Sequence, residues 1–153
     1  MIPVDSSNRS ALNGSFFVTG DDATNVMVLD RNLKPIRRIP ITDYPAKRIP
    51  KPKKPDYEAS ALMQVEGKPM LAILGSASTD ARKKLTLLSL EPEAAAPVTF
   101  PTDILVRRLL FSGIREINLE GITVIGDKVV LSNRGNLAYR ENQLITTNPG
   151  FWL

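Results

Sequence analysis

Residues 120–136 read EGITVIGDKVVLSNRGN, an acid set directly against an apolar run that turns back on itself. Gly126 and Asp127 separate two short runs rich in β-branched residues, a pattern typical of two strands joined by a tight turn. The polar residues 133–136 end the second run. This stretch therefore predicts a β-hairpin with Glu120 at its head.

The same order of features recurs upstream in residues 58–78, EASALMQVEGKPMLAILGSAS, with Glu58 at the head and Gly67 in the turn. A third, weaker copy in residues 10–22, SALNGSFFVTGDD, keeps the hairpin but has no acid at its head. Copies roughly 50 to 60 residues apart match the blade period of a β-propeller better than a β-sandwich, whose strands need not repeat.

Short strands bounded by turn residues are predicted along most of the chain, at 15–19, 25–30, 36–41, 59–65, 70–74, 85–90, 122–125, 128–131 and 143–146. One short helix is predicted near residues 102–111, capped by Thr102 or Asp103. Its inward side would be formed by Ile104, Leu105, Leu109 and Leu110. We therefore expect an all-β fold, a partial β-propeller of about three blades of antiparallel sheet with one short helix.

The 153 residues are interpreted as a single domain, 1–153. At roughly 50 residues per blade the chain holds about three blades, whereas a closed propeller needs at least four. Trp152, the only Trp, follows the last predicted strand, so no strand remains to pack it. We expect the chain to be part of a longer propeller, or a unit that completes its ring by self-association through unpaired blades.

The chain has no His and no Cys. A Ser-His-Asp or Cys-His relay therefore cannot form, and zinc lacks its usual nitrogen and sulfur ligands. A bound metal would be a hard cation such as Ca²⁺ or Mg²⁺, held by oxygen atoms. No other cofactor is indicated.

The sequence has no run of about 18 apolar residues, which excludes a membrane-spanning helix and gives no indication of a membrane partner. The start, MIPVDSSNRS, lacks the basic and apolar regions of a secretory signal. Localisation stays open, since the protein would be cytoplasmic if this start is native and periplasmic if a signal peptide has been lost.

The net charge of +4 arises in one Pro-rich segment, residues 44–58, YPAKRIPKPKKPDYE. Without its five cations the rest of the chain has a net charge of −1, and those cations are Lys47, Arg48, Lys51, Lys53 and Lys54. Charged Pro-rich segments usually form solvated crossing loops, which we favour over a basic lip for an anionic ligand. Nucleic acid is not indicated, because aromatic residues are only 6% of the chain and none alternate with these cations.

Glu58 and Glu120 head the innermost strands of two blades in this architecture, so both should point toward the axis and lie close together. Two carboxylates in one narrow channel raise one another's pKa or share a cation or a guanidinium. In the structural alternative, each Glu accepts backbone N–H bonds from the adjacent blade and holds the ring together.

Several short motifs carry a resemblance over residues 10–147. They are GDD (20–22), VLD (28–30), RIPKPKKPDYEA (48–59), LGSAS (74–78), Arg82, INLEG (117–121) and NRGN (133–136). In this order the chain resembles an uncharacterised bacterial six-bladed β-propeller family, a domain of unknown function similar in style to phytase-esterase-like and calcium-dependent propellers. The resemblance implies a polar central face lined by Asp56, Glu58, Ser76, Ser78, Arg82, Asn118, Glu120, Arg134 and Asn136.

Two functions are compatible with these residues, and neither assigns a catalytic residue. The favoured one is a scaffold of unknown activity that binds an ion or small anionic ligand at the central face, because fold analogy alone assigns no chemistry. The alternative is a divalent-metal-dependent phosphoesterase or esterase-like hydrolase, in which Ca²⁺ or Mg²⁺ activates water and Arg82 or Arg134 holds the anion. Its metal ligands would come from Asp21, Asp22, Asp56, Glu58 and Glu120.

Overall fold

A computed structural model of the protein describes residues 9–12, 14–91 and 96–153. These residues form eleven strands, one α-helix and a 3₁₀ turn at Asp80–Arg82. The strands are β1 (Arg9–Leu12), β2 (Ser15–Val18), β3 (Asn25–Leu29), β4 (Pro35–Pro40), β5 (Tyr57–Val65), β6 (Lys68–Gly75), β7 (Lys84–Ser89), β8 (Val98–Pro101), β9 (Leu119–Ile125), β10 (Lys128–Asn133) and β11 (Gln143–Thr147). The helix is α1 (Asp103–Phe111).

The strands form three antiparallel sheets in which consecutive strands pair with each other. Sheet 1 has the order β1-β2-β3-β4, sheet 2 the order β5-β6-β7-β8, and sheet 3 the order β11-β10-β9. The first strands of the sheets lie together, since β5 packs against both β1 and β9. The predicted all-β class with one short helix is confirmed, in an arrangement consistent with a partial, propeller-like fold.

Two hydrophobic clusters fill the spaces between the sheets. The larger lies between sheets 2 and 3 and includes residues of α1. The smaller lies between sheets 1 and 2 and contains Phe17, Val26 and Ile73. Sheet 2 is thus covered on both faces, which explains why β5 and β6 read as almost continuous apolar runs.

The buried side of α1 differs from the prediction. Leu105, Val106 and Leu109 are buried, whereas Ile104 and Leu110 are 39% and 49% exposed. The predicted inward side was therefore right for Leu105 and Leu109 and wrong for Ile104 and Leu110, because Val106 packs against the larger cluster instead. No helix in the described ranges is long and apolar enough to span a membrane.

Thr102, one of the two predicted caps, does occupy the N-cap position of α1. Thr102 precedes α1, but its side chain makes no capping hydrogen bond. It is fully buried directly after β8, where its backbone N–H donates to the carbonyl of Lys83 at 3.0 Å. Asp103 instead occupies the first turn of α1, where a negative charge interacts favourably with the helix dipole.

Trp152 is buried, contrary to the expectation that no strand remains to pack it. Its ring lies 6.0 Å from that of Phe100 in β8 and meets the ring of Phe151 edge-on at 5.1 Å. The chain after β11 therefore returns to the cluster between sheets 2 and 3. The first eight residues of the start, MIPVDSSNRS, lie outside the described residues.

Candidate functional site

Glu58 and Glu120 occupy the same position in two successive sheets. Tyr57 pairs with Gly75 and Ala59 with Leu74, so Glu58 is an extra, unpaired residue in β5. Glu120 has the same place in β9, between Leu119 and Gly121, whose partners in β10 are adjacent. Each acid therefore sits at a β-bulge, an irregularity that redirects side chains and that is frequent next to functional sites.

Backbone hydrogen bonds between the sheets repeat as well. The N–H of Tyr57, at the start of β5, donates to the carbonyl of Asp21 in sheet 1 at 3.1 Å. The N–H of Leu119, at the start of β9, donates to the carbonyl of Ser76 beyond β6 at 2.8 Å. Each sheet is thus joined to the preceding one at the same point, beside the bulged acid.

Asp56 immediately precedes β5 and is the buried centre of a network that we call the Asp56 clasp (Asp21, Lys54, Asp56, Ser76, Ser78 and Arg82). Its Oδ1 lies 2.5 Å from Lys54 Nζ, and its Oδ2 lies 2.9 Å from Nη1 of Arg82. Ser76 Oγ donates to the same Oδ2 at 2.9 Å. Both carboxylate oxygens of this buried acid are therefore satisfied, as a buried charge requires.

The other members of the clasp bind one another. Ser78 Oγ lies 2.9 Å from Ser76 Oγ and accepts a hydrogen bond of 2.9 Å from Arg82. Lys54 Nζ also donates to Asp21 Oδ2 at 2.5 Å. That bond lowers the pKa of Asp21, and the bonds to Asp21 and Asp56 raise the pKa of Lys54.

A second network surrounds Glu120. Its Oε1 accepts a hydrogen bond of 2.8 Å from Asn118 Nδ2 and lies 3.3 Å from Nη2 of Arg134. The buried Asn133 stabilises this network, because its Oδ1 accepts the backbone N–H of Asn118 at 2.6 Å. Its Nδ2 donates to the carbonyl of Glu116 and to Gln143 Oε1, both at 2.9 Å.

Glu58 lies between the two networks and differs from the other acids. It is half-buried, and no side chain or backbone group in the described residues makes a hydrogen bond or ion pair with its carboxylate. Burial raises the pKa of Glu58, and the negative charges of Asp56, Glu120 and Asp21 raise it further, opposed by Lys54. The structural alternative, in which Glu58 accepts backbone N–H bonds, is therefore not observed in the described residues.

The structure brings together most of the residues that the sequence placed on the polar face. Asn136, from that face, and Asp22, a candidate metal ligand, do not join the networks. Asn136 Oδ1 accepts the N–H groups of Ala138 and Tyr139 and so holds a local turn. Asp22 pairs with the exposed Arg48 at 2.6 Å.

The Pro-rich segment is only partly the solvated loop that we favoured. Lys51 and Lys53 are exposed, but Ile49 is buried and the Lys54 side chain is only 15% exposed. Sequence reasoning therefore missed Lys54 as a site residue. The available signal was its place two residues before Asp56, at the point where the segment enters β5.

The acidic side chains of the site are not close enough together to form a metal centre. No group of three or more acidic side chains in the described residues is placed to hold a metal ion. Asp21, Asp22, Asp56 and Glu120 each bind a Lys or Arg instead.

Comparison with known proteins gives a family but no activity. A family model described as a family of unknown function (DUF6929) matches residues 6–150. No curated protein and no solved structure shows significant similarity to the chain.

Proposed function

The chain belongs to that family of unknown function, and from its site we propose that it is part of a β-propeller scaffold. The scaffold binds a small ligand at its polar face. The ligand presents a protonated amine or a guanidinium to Glu58. The six-bladed ring implied by the sequence resemblance is part of this proposal.

The carboxylate of Glu58, which has no hydrogen-bond or ion-pair partner in the described residues, is the observation that carries the proposal. It lies beside Asp56, Glu120 and Asp21, whose charges all disfavour its ionised form. Each of those three acids has its own Lys or Arg partner, and Glu58 has none in the described residues. A cationic group at Glu58 would remove the repulsion and supply the missing hydrogen-bond donors.

The charges around the site favour a cation over the anionic ligand that the sequence suggested. Lys54, Arg82 and Arg134 are the basic side chains of the two networks, and each contacts a carboxylate. An anion would compete with an internal acid for each of these cations and would meet the charge of Glu58 as well.

The number of oxygen ligands favours an organic cation over a metal ion. Ca²⁺ takes about six to eight oxygen ligands and Mg²⁺ about six in strict geometry. The described residues contain no group of three acids placed for such an ion. An ammonium or guanidinium needs only one or two carboxylates at hydrogen-bond distance. The binding scaffold is accordingly favoured over the metal-dependent hydrolase.

Agmatine, which carries one ammonium and one guanidinium, is a suitable probe of this proposal. At ten times its dissociation constant it should raise the free energy of unfolding by about 1.4 kcal/mol, measured by chemical or thermal denaturation. Glu58→Gln should abolish the increase. Glu66→Gln, the same change at an exposed residue in the turn after β5, should leave it intact.

Inorganic phosphate provides the opposite arm of the experiment. We expect it to leave the stability of the wild-type protein unchanged at the same ionic strength. Stabilisation by phosphate that grows in Glu58→Gln would contradict the cationic ligand and support an anion site. An agmatine effect that survives in Glu58→Gln would place the binding elsewhere.

A further inference from the structure

The two faces of sheet 2 are covered differently at its outer strands, β7 and β8. On one face, Leu85 and Leu87 belong to the larger hydrophobic cluster together with residues of α1. On the other face, which turns toward sheet 1, Leu88 belongs to the smaller cluster, whereas Lys84 and Thr99 line a cavity that we call the outer cavity. It measures about 1080 Å³ within the described residues, close to the upper end of the range for small-molecule sites, about 300–1,000 Å³.

Three segments form the walls of the outer cavity. They are β4 with the residues that follow it, the Pro-rich segment, and the outer strands β7 and β8. Ile41, Ile49 and Leu88 line the cavity and are buried, so part of its wall is apolar. The rings that line it are those of Pro40, Pro52, Pro55, Pro97, Tyr44 and Tyr57. Rigid rings of this kind pack well against a planar apolar ligand.

Basic side chains also line the outer cavity. They are Arg37 from β4, Lys53 from the Pro-rich segment and Lys84 from β7. None of the three makes an ion pair within the part of the chain that the structure describes. Two acids, Asp43 and Glu91, line the cavity as well, so positive charges are in the majority. This excess favours an anionic group on the ligand.

Strand register places Arg37 on the cavity side of sheet 1. Arg37 pairs with Val28, which is buried in the smaller cluster between sheets 1 and 2. The next residue, Arg38, pairs with Met27, and because side chains alternate along a strand, both lie on the opposite face. Arg37 and Arg38 are both exposed, so they form a matched pair that differs in the face of the sheet.

A chain of hydroxyl groups reaches the outer cavity from the buried space between sheets 1 and 2. The Tyr57 hydroxyl lies 3.0 Å from Thr86 Oγ1, which lies 2.9 Å from Thr99 Oγ1. Tyr57 and Thr86 are buried, whereas Thr99 is exposed at the cavity wall. A hydroxyl can donate and accept hydrogen bonds, so Thr99 adds a group that can bind a carboxylate oxygen.

We propose that the outer cavity binds a small organic anion that has an aromatic body and one carboxylate. The Tyr and Pro rings pack against the aromatic body, and the carboxylate binds basic side chains drawn from Arg37, Lys53 and Lys84. An organic cation would meet these positive charges, and an inorganic ion would leave the apolar wall uncovered. Glu58 does not line the outer cavity, so this inference does not depend on the cationic ligand proposed for Glu58.

Isothermal titration calorimetry with 2-naphthoate tests the proposal on the wild-type protein. We expect one site with a dissociation constant of about 1 mM or lower. Arg37→Gln and Lys84→Gln should each weaken binding by about 3-fold or more, because a charged partner of the carboxylate is lost. Arg38→Gln is the matched control and should leave the dissociation constant unchanged. All three variants change side chains that are at least partly exposed, so each should keep its β-rich circular dichroism spectrum.

Two further ligands separate the contribution of the charge from that of the ring. The amine 2-naphthylmethylamine has the same ring with a positive charge and should bind at least about 10-fold more weakly. Acetate has the carboxylate alone and should not bind measurably. Absence of 2-naphthoate binding at about ten times the expected dissociation constant would overturn the proposal. Equal binding of the amine would do the same, as would a dissociation constant that Arg37→Gln and Lys84→Gln both leave unchanged.

Discussion

Asp56, the centre of the clasp, and Glu58 lie two residues apart in the chain, but their carboxylates have very different surroundings. Asp56 is buried, and two cations and a hydroxyl satisfy both of its oxygens. Glu58 is more exposed, yet it has neither a donor nor a cation of its own in the described residues. The number of hydrogen-bond donors, more than the degree of burial, distinguishes Asp56 from Glu58, the acid that we propose binds a ligand.

The largest difference between the two networks should appear when a methyl group is added to a glycine of each. In Gly75→Ala the new Cβ would clash with the backbone carbonyls of Arg82 and Pro55, which frame the Asp56 clasp. Backbone atoms cannot move aside cheaply, so we expect a loss of more than about 3 kcal/mol in the free energy of unfolding. Urea denaturation measures this loss.

Gly121→Ala is the matched change beside Glu120, where the new Cβ would meet the Ser132 hydroxyl. A side-chain hydroxyl can rotate away, so the loss should be about 1 kcal/mol or less. Equal losses in the two variants would show that the clasp is no more rigid than the Glu120 network.

Removing the charge at the centre of the clasp should have the next largest effect. Asp56→Asn keeps the shape of the side chain, and Asn tolerates the positive φ of 53° at this position. Lys54 and Arg82 then lose a shared carboxylate, and we expect the free energy of unfolding to fall by about 2–3 kcal/mol. This loss is smaller than that for breaking a fully buried ion pair, because Lys54 keeps Asp21 as a partner. The melting temperature and urea midpoint report it.

Asp127→Asn is the control for that change, since Asp127 is 88% exposed and lies 3.8 Å from Lys128. It should alter the free energy of unfolding by less than about 0.5 kcal/mol. If the two Asn variants were equally stable, the clasp would contribute no more than a surface ion pair.

The smallest effect, and one of opposite sign, is expected at Glu58. The pKa of Glu58 is raised from the ordinary 4.5 by burial and by neighbouring acids, so its ionised form destabilises the fold. Glu58→Gln should therefore be more stable than the wild type at pH 7, by about 0.5 kcal/mol once solvent screening is allowed for.

The sign of the pH dependence follows from the raised pKa. Below 4.5 Glu58 is protonated in both the folded and the unfolded protein, so the two variants should converge. The advantage of Glu58→Gln should grow as the pH rises through the folded pKa of Glu58 and then stay constant. Urea titrations between pH 4 and 8 measure it, and an advantage that shrank with rising pH would mean that Glu58 has a favourable partner.

The sequence repeat predicts much of this architecture because its features are local. A strand, a glycine turn and a second strand specify each hairpin, and the acid before the first strand marks the position of the bulge in two sheets. The short β8 is not predicted, because the prolines at positions 97 and 101 are typical of a loop.

Long-range contacts account for what the sequence does not predict. Lys54 belongs to the clasp because the Pro-rich segment crosses from sheet 1 to sheet 2, which no local pattern encodes. Asn133 is typical of the polar end of a strand, although it is buried and makes three hydrogen bonds to two separate segments, residues 116–118 and Gln143. Trp152 packs against Phe100 in β8, more than fifty residues earlier.

The most direct test of the account is the pKa of the Glu58 carboxyl group, measured by carbon-detected NMR with and without agmatine. We expect a pKa above 4.5 in the free protein, a lower value in Asp56→Asn, and a fall when agmatine binds, because a cation favours the ionised form. A pKa at or below 4.5 that does not respond to agmatine would show that Glu58 already has a partner, and would contradict the proposed site.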